Sequence, residues 1–431
     1  MYTSAPVPQV RTTVLVGARV YPIADADGAL VEPIDDGAVV LREGRIARVG
    51  PRAEVLAAVE AEESQGQSRI VDVTGCALTP GLFESHGHVG VHEDGEGPAG
   101  NDTNESIRPD GSALRALDGI NPADVGFADA LRGGVTTALI KPGSANPIGG
   151  RTAALKTWGR IADEMLISQD LSVKSALGEN PKRFFGEKGK APSNRMGVAR
   201  EIREAFTAAQ DYRAAKERAE AEGKAFDTDL GKETLVAVLE GRLAWDQHCH
   251  RADDIATAVR LADEFGYRLI VNHGTEGHFI ADFLAERGID VIVGPLMTSR
   301  SKVELRERTL ATPAVLEAAG VRFALTTDHP VVPINFLIHE ASLAVKEGLS
   351  PAAALASLTV WPAQMFGLED RIGTLEPGSD ADVVVWSGDP LALDSRALRV
   401  FVDGREVYSH EAGAREAAVA DPFGPTPICV P

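Results

Sequence analysis

The stretch TPGLFESHGHVG, residues 79–90, closes an apolar run with two histidines one residue apart, His86 and His88, followed by glycine. Residues i and i+2 of a strand point the same way, so both imidazoles project from one strand end toward one point. A pair of metal ligands is presented in this manner. An ordered series follows along the chain: DQHCH at 246–250, VNHG at 271–274 and LTTDHP at 325–330, each placing a ligand-type residue at the end of an apolar run.

Between these motifs, apolar runs alternate with helical patterns. The runs are GVTTALIKPG (134–143), VKSALGEN (173–180), YRLIVNHG (267–274), DVIVGPLM (290–297) and VRFALTTDHP (321–330). ADDIATAVRLADEFG (252–266) and FIADFLAERG (279–288) repeat apolar residues near i, i+3 and i+4 and stop at glycine, as amphipathic helices do. Such alternation implies a parallel sheet. In a (β/α)8 barrel the active site lies at the C-terminal strand ends, where these His and Asp residues fall. Before residue 75, short strands are expected in TTVLVGARVYP, GAVVLREGRIARVG and RIVDVTG, and the same texture returns in LRVFVDGREVY at 398–408. Both chain ends therefore read as one small β module bracketing an inserted domain. The charged segment 195–223 reads as a helix with a solvated face, and the proline-rich tail DPFGPTPICVP as irregular.

Composition narrows the function classes. A chain of 431 residues accommodates a barrel of about 250 residues plus a module. The net charge of −20 opposes binding to nucleic acid or an anionic membrane. Cys76, Cys249 and Cys429 are odd in number and lack CxxC spacing, which suggests neither a disulfide framework nor a thiolate zinc site. The first residues show no basic region followed by an apolar core, and no run approaches a membrane span. A cytoplasmic enzyme of small molecules is expected. His86, His88, His248, His273 and Asp328 offer imidazole and carboxylate donors from four strand ends, a set suited to one or two divalent ions. Zinc is expected first, with manganese, iron or cobalt as alternatives.

The combination TPGLFESHGH, HCH, NHG, TTDHP and the closing GTLEPGSDADVVVW resembles the amidohydrolase superfamily, and within it the imidazolonepropionase-like branch. The resemblance implies a (β/α)8 TIM-like barrel at 76–366 with a composite β-sandwich built from 1–75 and 367–431. It also implies hydrolysis at a carbon bonded to nitrogen, in an amide, a peptide-like bond or a cyclic amide. By position it makes His86 and His88 the first-strand pair, His248 the fifth-strand ligand with His250 as neighbour, His273 the sixth-strand histidine and Asp328 the eighth-strand aspartate. Asp328 would accept the proton of the attacking water and pass it to the leaving nitrogen, with His273 polarising the carbonyl if it is not fully engaged as a ligand. For the bridging ligand, Lys174, as a carboxylated lysine, is placed ahead of Glu179; Lys141 and Lys156 precede the fourth strand and rank lower.

One departure from relatives is informative: where deaminases and imidazolonepropionases carry a glutamate three residues after the fifth-strand histidine, this chain has Arg251. Amide or peptide-like hydrolysis is thus favoured over deamination and over imidazolonepropionate hydrolysis; lactonase chemistry on the same barrel stays an alternative, and retention of all five expected His/Asp positions argues against a non-catalytic binding barrel. Basic loops supply Arg151, Lys182, Arg183, Arg300 and Lys302; with Asn180 and His250 they suit a substrate bearing a carboxylate. The residues carry no signal of oligomeric state; the resemblance, to a family whose members are commonly dimers or larger, allows a homo-oligomer.

Overall fold

In the computed structural model, residues 12–25, 28–62 and 68–414 are described. Cys429 and the proline-rich tail lie outside them. The N-terminal strands are β1 (Thr12–Val20), β2 (Ile34–Arg42), β3 (Arg45–Pro51), β4 (Ser68–Asp72) and β5 (Ala77–Pro80). The barrel strands are β6 (Leu82–Gly87), β7 (Val135–Ile140), β8 (Ile148–Arg151), β9 (Ala153–Lys156), β10 (Leu166–Ser168), β11 (Ser172–Ala176), β12 (Ala244–Cys249), β13 (Leu269–His273), β14 (Asp290–Val293) and β15 (Phe323–Leu325). Four more, β16 (Val383–Trp386), β17 (Ala397–Val402), β18 (Arg405–Ser409) and β19 (Gly413–Ala414), return to the N-terminal ones.

Strands from both chain ends share one nine-stranded sheet, joined where β16 runs antiparallel to β5. Its period-two alternation sorts the side chains of β1: Leu15 joins Val39, Leu78, Val383 and Phe401 in one apolar cluster, while Val14 and Val16 pack with Val55 and Val59 of the helix Arg52–Glu62 in another. The composite module expected from the sequence is present.

The barrel is defined by a single interior layer. Phe83, Leu139, Ala154, Ala244, Ile270, Ile292 and Ala324, one from each of β6, β7, β9, β12, β13, β14 and β15, form a buried cluster closed by Met365 and Phe366. Large and small side chains interdigitate, so the lumen is filled rather than open. β11 through β15 are parallel neighbours, as are β6 and β7. The third position departs from simple alternation: β9 runs antiparallel to β7, and β8 antiparallel to β11. The KPGSANPIGGR segment therefore leads into a reversed strand. Between β15 and β6 the ring is joined by the His88 N–H to the His329 carbonyl at 2.9 Å and by the Thr326 hydroxyl to the His86 carbonyl at 2.7 Å.

The charged helix forms as expected, over Arg195–Ala221, but it is not uniformly solvated. Val198, Ile202, Phe206 and Ala209 make a buried stripe at helical spacing. Among the described residues no helix is long and apolar enough to cross a membrane.

Lys156, weighed as a bridging lysine, sits where barrel and terminal sheet meet. Its ammonium lies 2.8 Å from Asp380 and 2.7 Å from Asp382, with Asp403 at 3.6 Å. These carboxylates raise its pKa against the effect of burial. Removing one partner of a buried ion pair leaves the other charge desolvated, typically at about 3–5 kcal/mol. Lys156→Met is expected to destabilise the protein by about that amount in urea unfolding. A change below about 1 kcal/mol would mean that the cluster is not a structural joint.

Candidate metal centre

The site is a stack of layers above the Phe366 plug. First comes a buried polar layer. Lys141, directly after β7, places its ammonium 5.4 Å from the Phe366 ring centroid, 2.6 Å from the Asp246 carboxylate and 2.9 Å from Asn272 Oδ1. Asn272 in turn donates through Nδ2 to Asp246. Lys141 and Asp246 are fully buried, so the pair is shielded from water. On the neighbouring side Glu84 accepts hydrogen bonds from Thr326, Thr327 and the His86 N–H, tying β6 to the segment that carries Asp328. Burial raises the pKa of Glu84 to about 7.

Upon this layer stand the histidines. His86 Nδ1 is 2.6 Å from Asn272 Oδ1, His88 Nδ1 is 2.8 Å from the Lys141 carbonyl, and His273 Nδ1 is 2.8 Å from the Gly294 carbonyl. The Asn272 amide is oriented by its neighbours, since the Lys141 ammonium needs an acceptor and Asp246 needs a donor. Each Nδ1 therefore donates to an oxygen, which leaves Nε2 of the neutral ring with its lone pair. Burial lowers the pKa of His86 well below its ordinary value and that of His273 to about 4, which favours the neutral form.

These lone pairs converge. Nε2 of His86 and Nε2 of His88 both lie 3.3 Å from the same Asp328 oxygen, and donors of His86, His273 and Asp328 all fall within 4.8 Å of one another. His273 Nε2 is buried without a hydrogen-bond partner. Acceptors facing acceptors in a buried space repel unless a cation lies among them. The donor set of three imidazole nitrogens and one carboxylate fits a divalent metal on this ground. The backbone bears strain here as well: His273 and Asp328 have φ of 70° and 53°, in a region few non-glycine residues adopt. Gly294 permits the close approach that brings its carbonyl to His273, because a Cβ there would meet the Thr326 carbonyl oxygen at 2.4 Å.

Lys174 enters from β11. Its amine lies 3.4 Å from His86 Nε2, 3.2 Å from the Pro142 carbonyl and 3.0 Å from Ser144 Oγ. Burial, followed by the charge of Lys141, lowers its pKa to about 7. Glu179 is not brought to this point. It begins the helix Glu179–Gly186, and its carboxylate pairs with Arg183 at 3.5 Å.

A second group lies beside the first. His248 and His250, both projecting from the end of β12, form it with Glu304, their donors again within 4.8 Å of one another. Its rings approach the first group closely, with His273 centred 4.5 Å from His248 and 4.8 Å from His250. Asn180 Nδ2 is 3.3 Å from His248 Nε2. Glu304 also pairs with Arg195 at 2.6 Å, and Gly178, with φ +84°, lets the β11 loop approach because a Cβ would lie 2.6 Å from Glu304.

Two expected substrate contacts are elsewhere. Arg151 ends β8 beside Val173, and its guanidinium pairs with Asp170, which precedes β11 and so lies toward the opposite barrel end. The strand reversal puts it there. Arg300 is exposed and bonds the Arg306 carbonyl; Lys302, two residues on, reaches the second group instead. Sequence reasoning missed Asp246, Asn272, Glu84 and Glu304 as parts of the site. Asp246 and Asn272 carried one signal, polar residues inside otherwise apolar strands.

Comparison with known proteins identifies the family. The model of the amidohydrolase family matches residues 77–408. The amidohydrolase tasK of Hapsidospora irregularis is 29% identical over 91% of this chain, although the match covers only 43% of tasK. An imidazolonepropionase of Paracoccus denitrificans (strain Pd 1222) is 26% identical over 82% of this chain and 88% of its own length. The crystal structure of an amidohydrolase from Thermotoga maritima MSB8 superposes with a TM-score of 0.85 at 42% identity, covering 92% of this chain and all of that one. The superfamily is generally dependent on divalent metals and acts on small molecules. With the family match spanning the barrel whose strand ends gather these imidazoles and Asp328, the chain belongs to the amidohydrolase family and is a hydrolase of carbon–nitrogen bonds.

Proposed function

We propose that the protein hydrolyses a small amide or peptide-like bond at the His86, His88, His273 and Asp328 centre. The observation that carries this is the convergence of imidazole lone pairs on Asp328 in a buried space, with each opposite ring nitrogen held by an oxygen. A divalent ion held there supplies a Lewis acid, making water a competent nucleophile near neutral pH and withdrawing charge from a carbonyl oxygen. Asp328 takes the proton of the attacking water and returns it to the leaving nitrogen. His273 is assigned as a ligand rather than a carbonyl donor, because its proton faces Gly294 and only its lone pair faces inward. The polar layer of Lys141, Asp246 and Asn272 keeps the His86 ring in its tautomer.

Lys174 is proposed as the fourth-strand ligand in preference to Glu179. As a neutral amine, Lys174 Nζ would add to the carbon of carbon dioxide, forming an N–C bond and releasing one proton to solvent, so that a carbamate carboxylate replaces the amine beside His86. Amide hydrolysis is preferred to deamination. Arg251 is salt-bridged at 2.8 Å to Asp253, the residue three beyond His250, and the exposed Asp253 carboxylate is thereby held away from the cluster.

Elemental analysis of protein purified without chelator tests the assignment. Wild type is expected to carry one to two divalent ions per chain, Lys174→Ala to lose much of that content, and Glu179→Ala to keep it. Full metal content in Lys174→Ala would remove Lys174 from the centre. Ammonia release from cyclic nitrogen bases, without amide cleavage, would overturn the choice of reaction.

A further inference from the structure

The region beyond His250 contains an ammonium without a carboxylate. Lys302 Nζ lies 3.1 Å from Asn180 Oδ1 and 3.4 Å from His250 Nε2, and no acidic oxygen among the described residues falls within 4.0 Å of it. Three of the carboxylates around it already have basic partners, and the fourth, Asp328, belongs to the metal centre. Glu179 pairs with Arg183 at 3.5 Å, Glu304 with Arg195 at 2.6 Å, Asp254 with Arg195 at 3.0 Å, and Asp328 faces His86 and His88. A half-buried ammonium whose hydrogen-bond partners are neutral, with its carboxylates beyond 4.0 Å, leaves room for an anion to complete it.

Its position relative to the reacting centre limits what that anion is. Lys302 touches His250, and the His250 ring is stacked on His273 of the metal centre with centroids 4.8 Å apart. The ammonium is thus one imidazole away from the ligands. In an amide whose nitrogen belongs to an α-amino acid, the carboxylate carbon is separated from the scissile carbonyl carbon by the nitrogen and one Cα, roughly 3–4 Å. Adding a hydrogen bond of about 2.8 Å gives a reach comparable with that separation.

We infer that Lys302, steadied by Asn180 and His250, binds the free carboxylate on the leaving-group side of the substrate, so that the enzyme selects N-acyl amino acids or dipeptides with an unblocked C-terminus. This rests on the hydrolytic reading above and specifies its substrate. Lys302 thereby takes the place expected for Arg151 and Arg300. Asn180 holds the ammonium through Oδ1 and reaches His248 through Nδ2, so it orients the clamp rather than supplying the charge.

Binding is measured separately from turnover. Metal-replete Asp328→Asn protein, chosen to hold substrate without cleaving it, is titrated calorimetrically with the N-acetyl derivatives of alanine, leucine, phenylalanine and proline and with the matching C-terminal carboxamides. The titrations are repeated in Asp328→Asn/Lys302→Met and Asp328→Asn/Lys302→Arg, after each variant is shown to unfold cooperatively with its metal content intact. The expected result is at least tenfold tighter binding of some free acid than of its carboxamide, loss of that preference with Met and partial recovery with Arg. Equal binding of acid and carboxamide, a preference that survives Lys302→Met, or no binding of any acid overturns the inference. Wild-type turnover of the same acids is scored independently. A Lys302-dependent acid preference with no cleavage would refute the hydrolytic reading and leave the clamp standing; cleavage of acids and carboxamides alike would refute the clamp and leave the hydrolytic reading.

Discussion

Asp328→Asn is expected to lower kcat by about 10²–10⁴ on any amide the enzyme cleaves, the range associated with loss of a positioned general acid–base. The substitution is a clean one for a structural reason. Asp328 sits at φ 53°, and asparagine is among the few residues that tolerate this region, so the segment carrying it need not rearrange. Its amide retains an oxygen to face the His86 and His88 rings, so metal content should fall only modestly. What disappears is the ability to accept a proton from water and pass it to nitrogen. Steady-state kinetics, elemental analysis and thermal unfolding on the same preparation separate these effects. Activity within threefold of wild type would exclude Asp328 from proton transfer.

Lys141→Met should be the most damaging substitution away from the reacting atoms. Lys141 and Asp246 are both fully buried and 2.6 Å apart, and deletion of the lysine leaves the Asp246 charge desolvated, an effect of about 3–5 kcal/mol. The same ammonium donates to Asn272 Oδ1, the oxygen to which His86 Nδ1 donates. Metal affinity is therefore expected to fall as well, by about 10–100-fold, as for loss of a partner that orients a ligand. The two consequences can be told apart. Replacing both charges, in Lys141→Met/Asp246→Leu, removes the orphaned carboxylate and should recover much of the unfolding free energy while metal affinity stays low. Destabilisation below about 1 kcal/mol in Lys141→Met would show that the pair is not needed to hold the layer.

Much of the site was legible because ligand residues occupy strand ends and strand ends are marked by where apolar runs stop. His86, His88, His273 and Asp328 were placed in this way, and the structure brings their side chains together. Lys174 was singled out on a different ground, as the charged residue inside a short apolar strand, and β11 brings its amine 3.4 Å from His86 Nε2. The basic residues in loops were not legible. Arg151, Arg300 and Lys302 look equivalent in sequence, yet only Lys302 turns inward, and Arg151 is carried toward the other barrel end by the reversed strand β8. Loop side chains have no periodicity to report their direction, and a strand's orientation depends on which neighbours it pairs with.

By itself the sequence determined the alternation of strands and helices, the composite module from both chain ends and the order of the ligand-type residues, because these depend on local periodicity and on neighbours close along the chain. Only the tertiary structure decided which oxygen holds each imidazole and which acid neutralises each base. Lys141 with Asp246, Arg195 with Glu304 and Lys156 with Asp382 are separated along the chain by whole strands and helices, and nothing local distinguishes them from other charged pairs. Their selection is a matter of burial: once desolvated, each charge must meet whatever opposite charge the folded barrel brings within reach, and Lys302 is a base that no carboxylate among the described residues approaches within 4.0 Å.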